Sequence, residues 1–257
     1  MNILVCVKRV PATGGRIVLT ADGSDIDTRY LGFTVSPHEE CAVEEAVRIV
    51  EAGGGSSTVL TLGPASAEEQ LRDAMAIGID RAVLLETDGR DWDPVATARA
   101  ITEAIRAQEA ANGPFDLILF GNESADSGGF QVGIRVARAL GRPIVTGVKG
   151  LVPGDGRIVA RREAVGGGWE SFDLPLPTVV SVKEGINLPR YPSIPGRLRA
   201  KKKEVERSTP AWQLGGLEKI VLRLPKEEVT AAEVIGRGPE AAPAIVDLLA
   251  RLGVIDR

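Results

Sequence analysis

Regular alternation of short apolar runs with capped helical segments is the feature that most constrains the fold of this chain. Four apolar runs have the composition of strands buried on both faces of a sheet. They occupy residues 3–7, 57–62, 81–85 and 115–120. Helical patterns separate them, and strands that alternate with helices in units of this length form a mostly parallel, doubly wound sheet. The chain is therefore predicted to be an α/β protein.

The first helix carries clear capping signals. Ser36 at the N-cap, Pro37 in the first turn and Glu39 at the third helical position form a capping box, and three glycines at residues 53–55 end the helix. Between the first strand and this helix, the Asp-Gly pair at residues 22–23 predicts a hairpin. Further helices are predicted at residues 66–77 and 94–111.

A loop rich in glycine and serine, residues 121–133, follows the fourth strand and leads into a helix that ends at Gly141. This arrangement places backbone N–H groups and the positive end of the helix dipole at the carboxyl edge of the sheet. Ligands bind at that edge in sheets of this class. The loop has neither a GxGxxG pattern nor a P-loop lysine, so a simple tight turn is the alternative.

After residue 143 the chain changes to strand patterns separated by glycine-rich turns, which predict an antiparallel extension of the sheet. Its strands are expected at residues 144–148, 157–162, 170–174 and 178–182. The region after residue 203 has a short strand pattern at residues 220–224 and a last helix, but little apolar core, and is predicted to wrap a partner. The predicted organisation is an α/β domain over residues 1–185, a protruding segment over 186–203 and a C-terminal arm over 204–257.

Three prolines within residues 189–195 mark the segment that follows the last of these strands. Each proline removes a backbone donor and biases the preceding residue away from the helical region, so an extended surface loop and no helix is expected over residues 182–205. Tyr191 and Ile194 lie on this loop and are candidates for contact with another protein. Packing of Ile194 onto the chain's own core is the alternative.

A cluster of basic residues follows, and it is the local exception to an overall net charge of −4. It comprises Arg197, Arg199, Lys201, Lys202, Lys203 and Arg207. The net charge gives no general attraction to nucleic acid, and a solvated surface is the commonest role of such a run. A basic RNA-binding tail is less favoured, because no aromatic residue other than Tyr191 interleaves the lysines.

Bulk composition predicts a globular chain that stays in the cytoplasm. Of its 257 residues 44% are hydrophobic. No apolar run approaches the roughly 20 residues needed to cross a bilayer, so no stable membrane insertion is expected. The N-terminus is too short and too strand-like for a signal peptide. Cys6 and Cys41 are expected to be reduced, buried hydrophobes, and no metal site is expected.

The chain contains no catalytic pattern of the GxSxG, HExxH or Walker kind. His38, the single histidine, lies in the first turn of a helix, where a ligand contact or a local contact is a better assignment than a general base. Glu123 and Asp126 are a pair of close carboxylates, and both can simply accept bonds from amides of their loop. The chain is therefore predicted to bind and position a ligand and not to be an enzyme.

Five stretches carry a resemblance to a known family. They are ILVCVKRVP at residues 3–11, SPHEECAVEEAVRI at 36–49, GPASAEEQLRDAMAIGIDRAV at 63–83, GNESADSGGFQVG at 121–133 and VKEGINLPRYPSIPGRLRAKKKEV at 182–205. With these the chain resembles the β subunits of electron transfer flavoproteins over essentially its whole length, and the last stretch is the most specific. Membership implies a fold of the adenine-nucleotide-binding kind and a heterodimer with an FAD-bearing α subunit. It also implies an electron carrier that serves acyl-CoA and related dehydrogenases in fatty acid oxidation and delivers electrons to a quinone-linked flavoprotein oxidoreductase of the respiratory chain.

The resemblance implies a nucleotide pocket on this chain. Its residues would be Cys6, Ser36, Pro37, His38, Glu39, Leu62, Glu123, Ser124, Asp126, Ser127, Gly128, Gly129, Phe130, Gln131 and Val132. Backbone amides of the last three, at a helix N-terminus, would hold a phosphate. The β subunits of this family usually hold AMP there, whereas some bifurcating relatives hold a second FAD. The acidic part of the loop is reduced here to Asp126, so either AMP or FAD is compatible with the loop. The bulk of Phe130 favours AMP, the smaller of the two.

The resemblance also implies a docking segment for the dehydrogenases. Its residues would be Arg190, Tyr191, Pro192, Ser193, Ile194, Pro195 and Gly196. Ile194 stands where the family has a leucine that seats in a hydrophobic pocket of the dehydrogenase, a volume-conserving change. Thr13 stands where some members bring a tyrosine near the flavin. The alternative from another class is a free-standing ATP-binding α/β protein of the stress-protein type, which has no use for a docking segment and an arm.

Overall fold

The structure, a computed structural model, describes residues 1–12, 14, 16–225 and 232–255. They form two compact units, Met1–Leu222 and Arg223–Arg257. The strands are β1 Asn2–Cys6, β2 Val10–Pro11, β3 Phe33–Thr34, β4 Ser56–Gly63, β5 Arg81–Glu86, β6 Leu117–Gly121, β7 Ile144–Pro153, β8 Arg157–Glu163, β9 Trp169–Pro175, β10 Thr178–Val182 and β11 Val205–Ser208. The α-helices are α1 Pro37–Gly53, α2 Glu68–Ile77, α3 Pro94–Asn112, α4 Val132–Leu140, α5 Ile194–Lys202 and α6 Ala242–Arg251, with 3₁₀ turns at Ala65–Ala67 and Pro239–Ala241.

One nine-stranded sheet forms the centre of the first unit, in the order β11-β5-β4-β1-β6-β10-β7-β8-β9. The strands from β11 to β7 are parallel, and β8 and β9 at one edge run antiparallel. The predicted class, a mostly parallel, doubly wound sheet with an antiparallel extension, is confirmed. β2 and β3 form a separate two-stranded ladder beside it.

The antiparallel extension is smaller than the strand pattern predicts. β7 and β10, which are expected to belong to it, run parallel to the other central strands, and β10 lies between β6 and β7. All five residues of β10 are buried, as a central strand covered on both faces requires. An apolar run of this length fits either orientation, so its periodicity alone could not distinguish the two.

Alternate side chains of the central strands pack into two separate cores. Ile3 and Val5 of β1 belong to the core beneath α1, α2 and α5. Leu4 and Cys6 belong to the core formed with α3 and α4 on the opposite face. Helices therefore cover both faces of the sheet, which is the physical reason that its parallel strands are apolar on both sides.

The direction of chain connections reverses between β1 and β6. β1 leads toward β4 on one side, whereas β6 leads toward β7 on the other. The carboxyl ends of these two strands therefore open into a cleft, the position at which sheets of this kind bind ligands. Gly121 at the end of β6 lets the start of α1 lie close, because a Cβ at residue 121 would be 2.6 Å from Cγ of Glu39.

The predicted capping box at the start of α1 is confirmed. The N–H of Glu39 donates to Oγ of Ser36 at 3.4 Å, and the N–H of Ser36 donates to the Glu39 carboxylate at 3.1 Å. The hairpin at Asp22 and Gly23 is confirmed as well, by an antiparallel bridge between Leu19 and Ile26. Both features depend on residues close together in the chain, which is why sequence patterns reveal them.

The segment that is expected to contain no helix forms α5, so that prediction is wrong. Oγ of Ser193 accepts the N–H of Gly196 at 3.1 Å as an N-cap. Pro195 lies in the first turn, where the missing N–H removes no helical hydrogen bond. The prolines at residues 189 and 192 disfavour a helix before Ser193, but Pro195 does not prevent one that starts after this residue.

The region after residue 203 also differs from expectation. Val205–Ser208, predicted as the beginning of the arm, is the edge strand β11 and pairs with β5 in the main sheet. The strand predicted at residues 220–224 is wrong, because these residues have no regular secondary structure. The last predicted helix is present as α6.

Candidate functional site

A cavity of about 380 Å³ occupies the cleft between the carboxyl ends of β1 and β6. Two stretches that are far apart in the chain line it: the start of α1 and the loop after β6. The lining residues are Ser36, Pro37, His38, Glu123, Ser124, Ala125, Asp126, Ser127 and Gly128. The structure thus brings together the capping box and the glycine- and serine-rich loop that the sequence singles out.

Glu39 lies buried directly behind this wall. Its two carboxyl oxygens accept one backbone N–H each, from Lys8 after β1 and from Ser36, both at 3.1 Å. Burial raises the pKa of Glu39 to about 8, although the bonds from Ser36 and Lys8 and the Lys8 charge act in the opposite direction. Glu39 therefore joins the end of β1 to the start of α1 and helps to shape the floor of the cleft.

The raised pKa of Glu39 predicts a pH-dependent contribution to stability. Its folded-state pKa of about 8 exceeds its ordinary value of 4.5, so the contribution is complete below pH 4.5 and is lost as the pH rises through 8. Urea unfolding should show the free energy of unfolding of the wild type falling over this range, by up to about 1.4 kcal/mol per pH unit, relative to Glu39→Gln. The variant should be about 1–3 kcal/mol less stable at pH 4.5, where this contribution is complete, because the amide nitrogen of glutamine cannot accept the second N–H group. A constant difference between the two proteins from pH 5 to pH 8.5 would contradict this assignment.

Lys8 holds the loop after β6 over the end of β1. Its ammonium group donates to Oδ2 of Asp126 at 2.6 Å, and the other oxygen of Asp126 accepts the N–H of Ser127 at 2.7 Å. Partial burial opposes ionisation, yet these bonds keep the pKa of Asp126 below its ordinary value. Lys8 is not among the site residues predicted from the sequence. Its position directly after a buried parallel strand is the signal that would have identified it.

His38 connects the cleft to the end of β10. Its Nδ1 accepts the backbone N–H of Glu184 at 2.7 Å, and its Nε2 lies 3.2 Å from the Glu123 carboxylate. The hydroxyl of Ser36 donates to the backbone carbonyl of Glu123 at 3.0 Å. Three elements, α1, the loop after β6 and the chain after β10, are thereby held together at this imidazole.

The loop after β6 ends at the N-terminus of α4. Phe130 has a φ of +52°, unusual for a bulky residue, and its side chain is exposed. No side chain in the described part of the chain caps the first turn of α4, and the amide oxygen of Gln131 instead accepts two bonds from Arg135. N–H groups and the positive dipole end of α4 are thus available to an anion beside the cavity.

Several predicted pocket residues lie around the cavity without lining it. Cys6 is buried in the core beneath the cleft, where burial raises the pKa of its thiol. Leu62 packs against the same core from the end of β4. Gly129, Phe130, Gln131 and Val132 continue from the lining loop into α4.

The chain after β10 runs along α1 and is fixed to it at successive points. Glu184 bonds to His38, as described above. Nδ2 of Asn187 then donates to the carbonyl of Cys41 at 3.0 Å and to the Glu45 carboxylate at 2.9 Å. This part of the chain, residues 183–193, is called the anchored segment below.

Arg190 makes the strongest of these attachments. Its guanidinium forms paired bonds to the carboxylates of Glu44 and Glu51, with distances between 2.8 and 3.2 Å. These bonds, to Glu51 first and then to Glu44, raise the pKa of Arg190. Arg190 is predicted to bind a partner protein, yet in the structure it secures the anchored segment to α1.

Helix α5 follows and packs on α2. A Cβ on Gly196 would lie 2.3 Å from the carbonyl oxygen of Ala76, so the two helices meet at backbone distance. Arg72 donates to the carbonyl of Ala200 at 2.7 Å, and Nζ of Lys203 donates to the carbonyl of Ile79 at 2.8 Å. Lys203, one of the basic cluster, therefore has a structural contact.

Apolar side chains project from the anchored segment and α5. The exposed fractions are 91% for Leu188, 96% for Tyr191 and 77% for Ile194. The alternative in which Ile194 packs onto the chain's own core is therefore wrong. Large exposed apolar groups on a firmly anchored backbone are typical of a protein–protein contact.

Fold and site together define a doubly wound α/β protein with a ligand-sized cleft at its strand switch point. The family model described as electron transfer flavoprotein domain matches residues 25–211. The chain is 36% identical to the electron transfer flavoprotein subunit beta of Mycobacterium leprae (strain TN), over 99% of each chain. It is also 36% identical to that of Bacillus subtilis (strain 168), over 80% of this chain and 78% of the relative. A third relative, subunit beta of Thermoanaerobacterium thermosaccharolyticum, is 37% identical over 80% of this chain and 77% of its own length.

The chain belongs to the electron transfer flavoprotein family, among its β subunits. Its relatives are β subunits of electron transfer flavoproteins, so its role is that of an electron transfer flavoprotein subunit. Within the residues that the structure describes, no helix is long and apolar enough to cross a membrane, and no cluster of His, Cys, Asp or Glu side chains could hold a metal ion.

Proposed function

We propose that this chain binds AMP in the cleft, pairs with an FAD-bearing α subunit and docks acyl-CoA and related dehydrogenases through the exposed side chains of the anchored segment and α5. Electrons would then pass toward a quinone-linked oxidoreductase of the respiratory chain. The observation that carries the proposal is the cleft itself, which lies at the switch point and combines polar side chains with an uncapped helix N-terminus.

The size and chemistry of the cleft favour a mononucleotide. Its volume of about 380 Å³ is near the lower end of the ~300–1,000 Å³ usual for ligand pockets, so a dinucleotide such as FAD is a poorer fit. Glu123 offers a carboxylate for hydroxyl groups of a ribose. The first turn of α4 offers N–H groups for a phosphate.

Extraction of bound nucleotide from the co-expressed heterodimer tests this proposal. We expect mass analysis to find one AMP and one FAD per heterodimer. Two FAD molecules without AMP would instead indicate a flavin in the cleft, as in bifurcating relatives. Absence of any adenine nucleotide other than one FAD would exclude the cleft as a nucleotide site.

A charge placed at Gly129 should weaken AMP binding. Gly129 directly precedes the amides proposed to hold the phosphate, and a Cβ added there has open space around it. Gly129→Asp is expected to lower AMP affinity about tenfold or more, because like charges would face each other in the site. Gly129→Asn is the matched control with the same shape and no charge. Equal AMP affinities by calorimetry for the two variants would contradict the assignment.

FAD would be held mainly by the α subunit, and it supplies the redox chemistry of the heterodimer when bound. This chain would contribute the nucleotide site and the docking surface. Thr13, which stands where some members of the family bring a tyrosine near the flavin, lies outside the described residues.

The C-terminal unit supports pairing with another subunit. None of the residues Ala242–Arg251 of α6 is buried, although the helix contains Ile245, Val246 and two leucines. A helix with this composition gains stability when a partner covers its apolar side chains. The C-terminal unit, Arg223–Arg257, is therefore proposed to pack on the α subunit.

Ile194→Ala should weaken docking of the dehydrogenase. Ile194 begins α5 with its side chain exposed, so its removal leaves the fold of this chain intact. Truncation of a central apolar contact costs about 1–3 kcal/mol, or roughly ten- to a hundredfold in affinity. Ile194→Leu, which conserves volume, is the control and should dock like the wild type. Unchanged electron transfer from a cognate acyl-CoA dehydrogenase to the Ile194→Ala heterodimer would exclude this contact.

A further inference from the structure

We propose that His38 is a positioning residue that couples occupancy of the cleft to the order of the anchored segment. The inference rests on the proposed function, because it takes AMP as the ligand and the anchored segment as part of the docking surface. It assigns to the single histidine of the chain a role that neither of those two sites requires by itself.

One hydrogen bond and one close contact of the His38 ring define its neutral tautomer. Nδ1 accepts the N–H of Glu184 at 2.7 Å, so it carries no proton. Nε2 then carries the proton of a neutral imidazole and points toward Oε1 of Glu123 at 3.2 Å. One edge of the ring therefore accepts a hydrogen bond from the anchored segment, and the other lies 3.2 Å from a carboxylate of the cleft.

Glu123 and His38 both line the cavity, and Glu123 offers a ligand the carboxylate that lies against the imidazole. The backbone carbonyl of Glu123 is already held by the hydroxyl of Ser36. A ligand that donates hydroxyl groups to the Glu123 carboxylate restricts that side chain to fewer positions. When Glu123 has fewer positions, the imidazole of His38 that it contacts has fewer as well. Nδ1 of this imidazole, which accepts the N–H of Glu184, is then held more firmly in place.

Glu184 is where that restriction reaches the anchored segment. It lies two residues beyond the end of β10, and the next attachments, at Asn187 and Arg190, go to parts of α1 that do not line the cavity. The bond to His38 is therefore the contact that links this segment to the cleft. Through this bond, a ligand in the cleft would reduce local opening at the base of the docking surface.

Two substitutions of His38 test its interactions with Glu184 and with Glu123 separately. His38→Asn keeps an acceptor near the place of Nδ1 and removes the donor to Glu123. His38→Gln keeps a donor near the place of Nε2 and removes the acceptor for Glu184. The pair therefore distinguishes a coupling residue from a side chain that merely fills space, because each variant retains one of the two contacts.

Amide hydrogen exchange of the heterodimer, with AMP removed and restored, tests the inference. In the wild type, AMP should slow exchange of the Glu184 amide by about fivefold or more. In His38→Gln this amide should exchange fast with or without AMP. In His38→Asn it should stay protected but lose its response to AMP. An equal response to AMP in all three proteins would overturn the coupling.

Two further results distinguish failure of the coupling from failure of AMP binding. AMP binding to the wild type, measured by calorimetry, without any change in exchange at Glu184 would overturn the coupling while leaving the proposed function intact. Failure of AMP to bind at all would overturn the proposed function and the coupling with it. Because the chain has one histidine, ¹⁵N labelling of this subunit reports its tautomer directly, and a protonated Nδ1 in the neutral ring of the wild type would overturn the geometry.

Discussion

Arg190→Ala is expected to lower the free energy of unfolding by about 3 kcal/mol and to release the anchored segment from α1. The substitution leaves the Glu44 carboxylate, whose side chain is 5% exposed, buried without its cation. Breaking a buried ion pair from one side costs about 3–5 kcal/mol, and the lower end applies here because Arg190 itself is 38% exposed. Urea unfolding of the heterodimer and amide exchange of residues 183–193 would measure the two effects.

The second carboxylate around Arg190 provides the control. Glu51 is mostly exposed, so Glu51→Gln should cost less than about 1 kcal/mol and leave the segment attached. Arg190→Lys keeps the charge but cannot form the paired bonds, and should lie between the two. If Arg190→Ala and Glu51→Gln unfold at the same urea concentration, the buried ion pair between Arg190 and Glu44 adds no more to the free energy of unfolding than the exposed pair with Glu51, which would contradict this prediction.

Gly196→Ala is expected to displace α5 from α2 and abolish dehydrogenase docking while AMP content stays normal. The new methyl group would lie 2.3 Å from the carbonyl oxygen of Ala76, an atom of the backbone that cannot rotate away. Overpacking of this kind costs about 1–3 kcal/mol. The better helix propensity of alanine recovers at most about 1 kcal/mol of it.

Gly53→Ala is the matched control for that substitution. Gly53 is also helical, at the end of α1, and a Cβ there meets nothing within 4 Å. This variant should be as stable as the wild type or slightly more stable. Normal docking by Gly196→Ala, measured as electron transfer from a cognate dehydrogenase, would show that the helix contact does not position Ile194.

Local chemistry explains what could be predicted from the sequence. The capping box of Ser36 and Glu39 involves residues within one helical turn, so its pattern is visible in the chain. The cleft could be placed because the carboxyl ends of parallel strands meet at one edge, whatever the details of packing. The loop of residues 121–133 follows a buried strand, and it lines the cleft as that rule implies.

Contacts between distant residues explain what could not be predicted. Lys8 meets Asp126 across 118 positions, and Arg190 meets Glu44 across 146, so no local pattern announces either pair. Helix α5 was hidden for a different reason. A proline breaks a helix chiefly by removing an N–H that the helix must use, and Pro195 lies in the first turn after the N-cap Ser193, where backbone N–H groups have no partner inside the helix.

The anchored segment and α5 use different side chains for attachment and for exposure. Asn187, Arg190 and Gly196 hold the backbone, whereas Leu188, Tyr191 and Ile194 project from it. Exchanges at projecting positions of this kind usually change stability by less than about 0.5 kcal/mol. A substitution at a projecting position can therefore alter the proposed docking contact without lowering the stability of the fold.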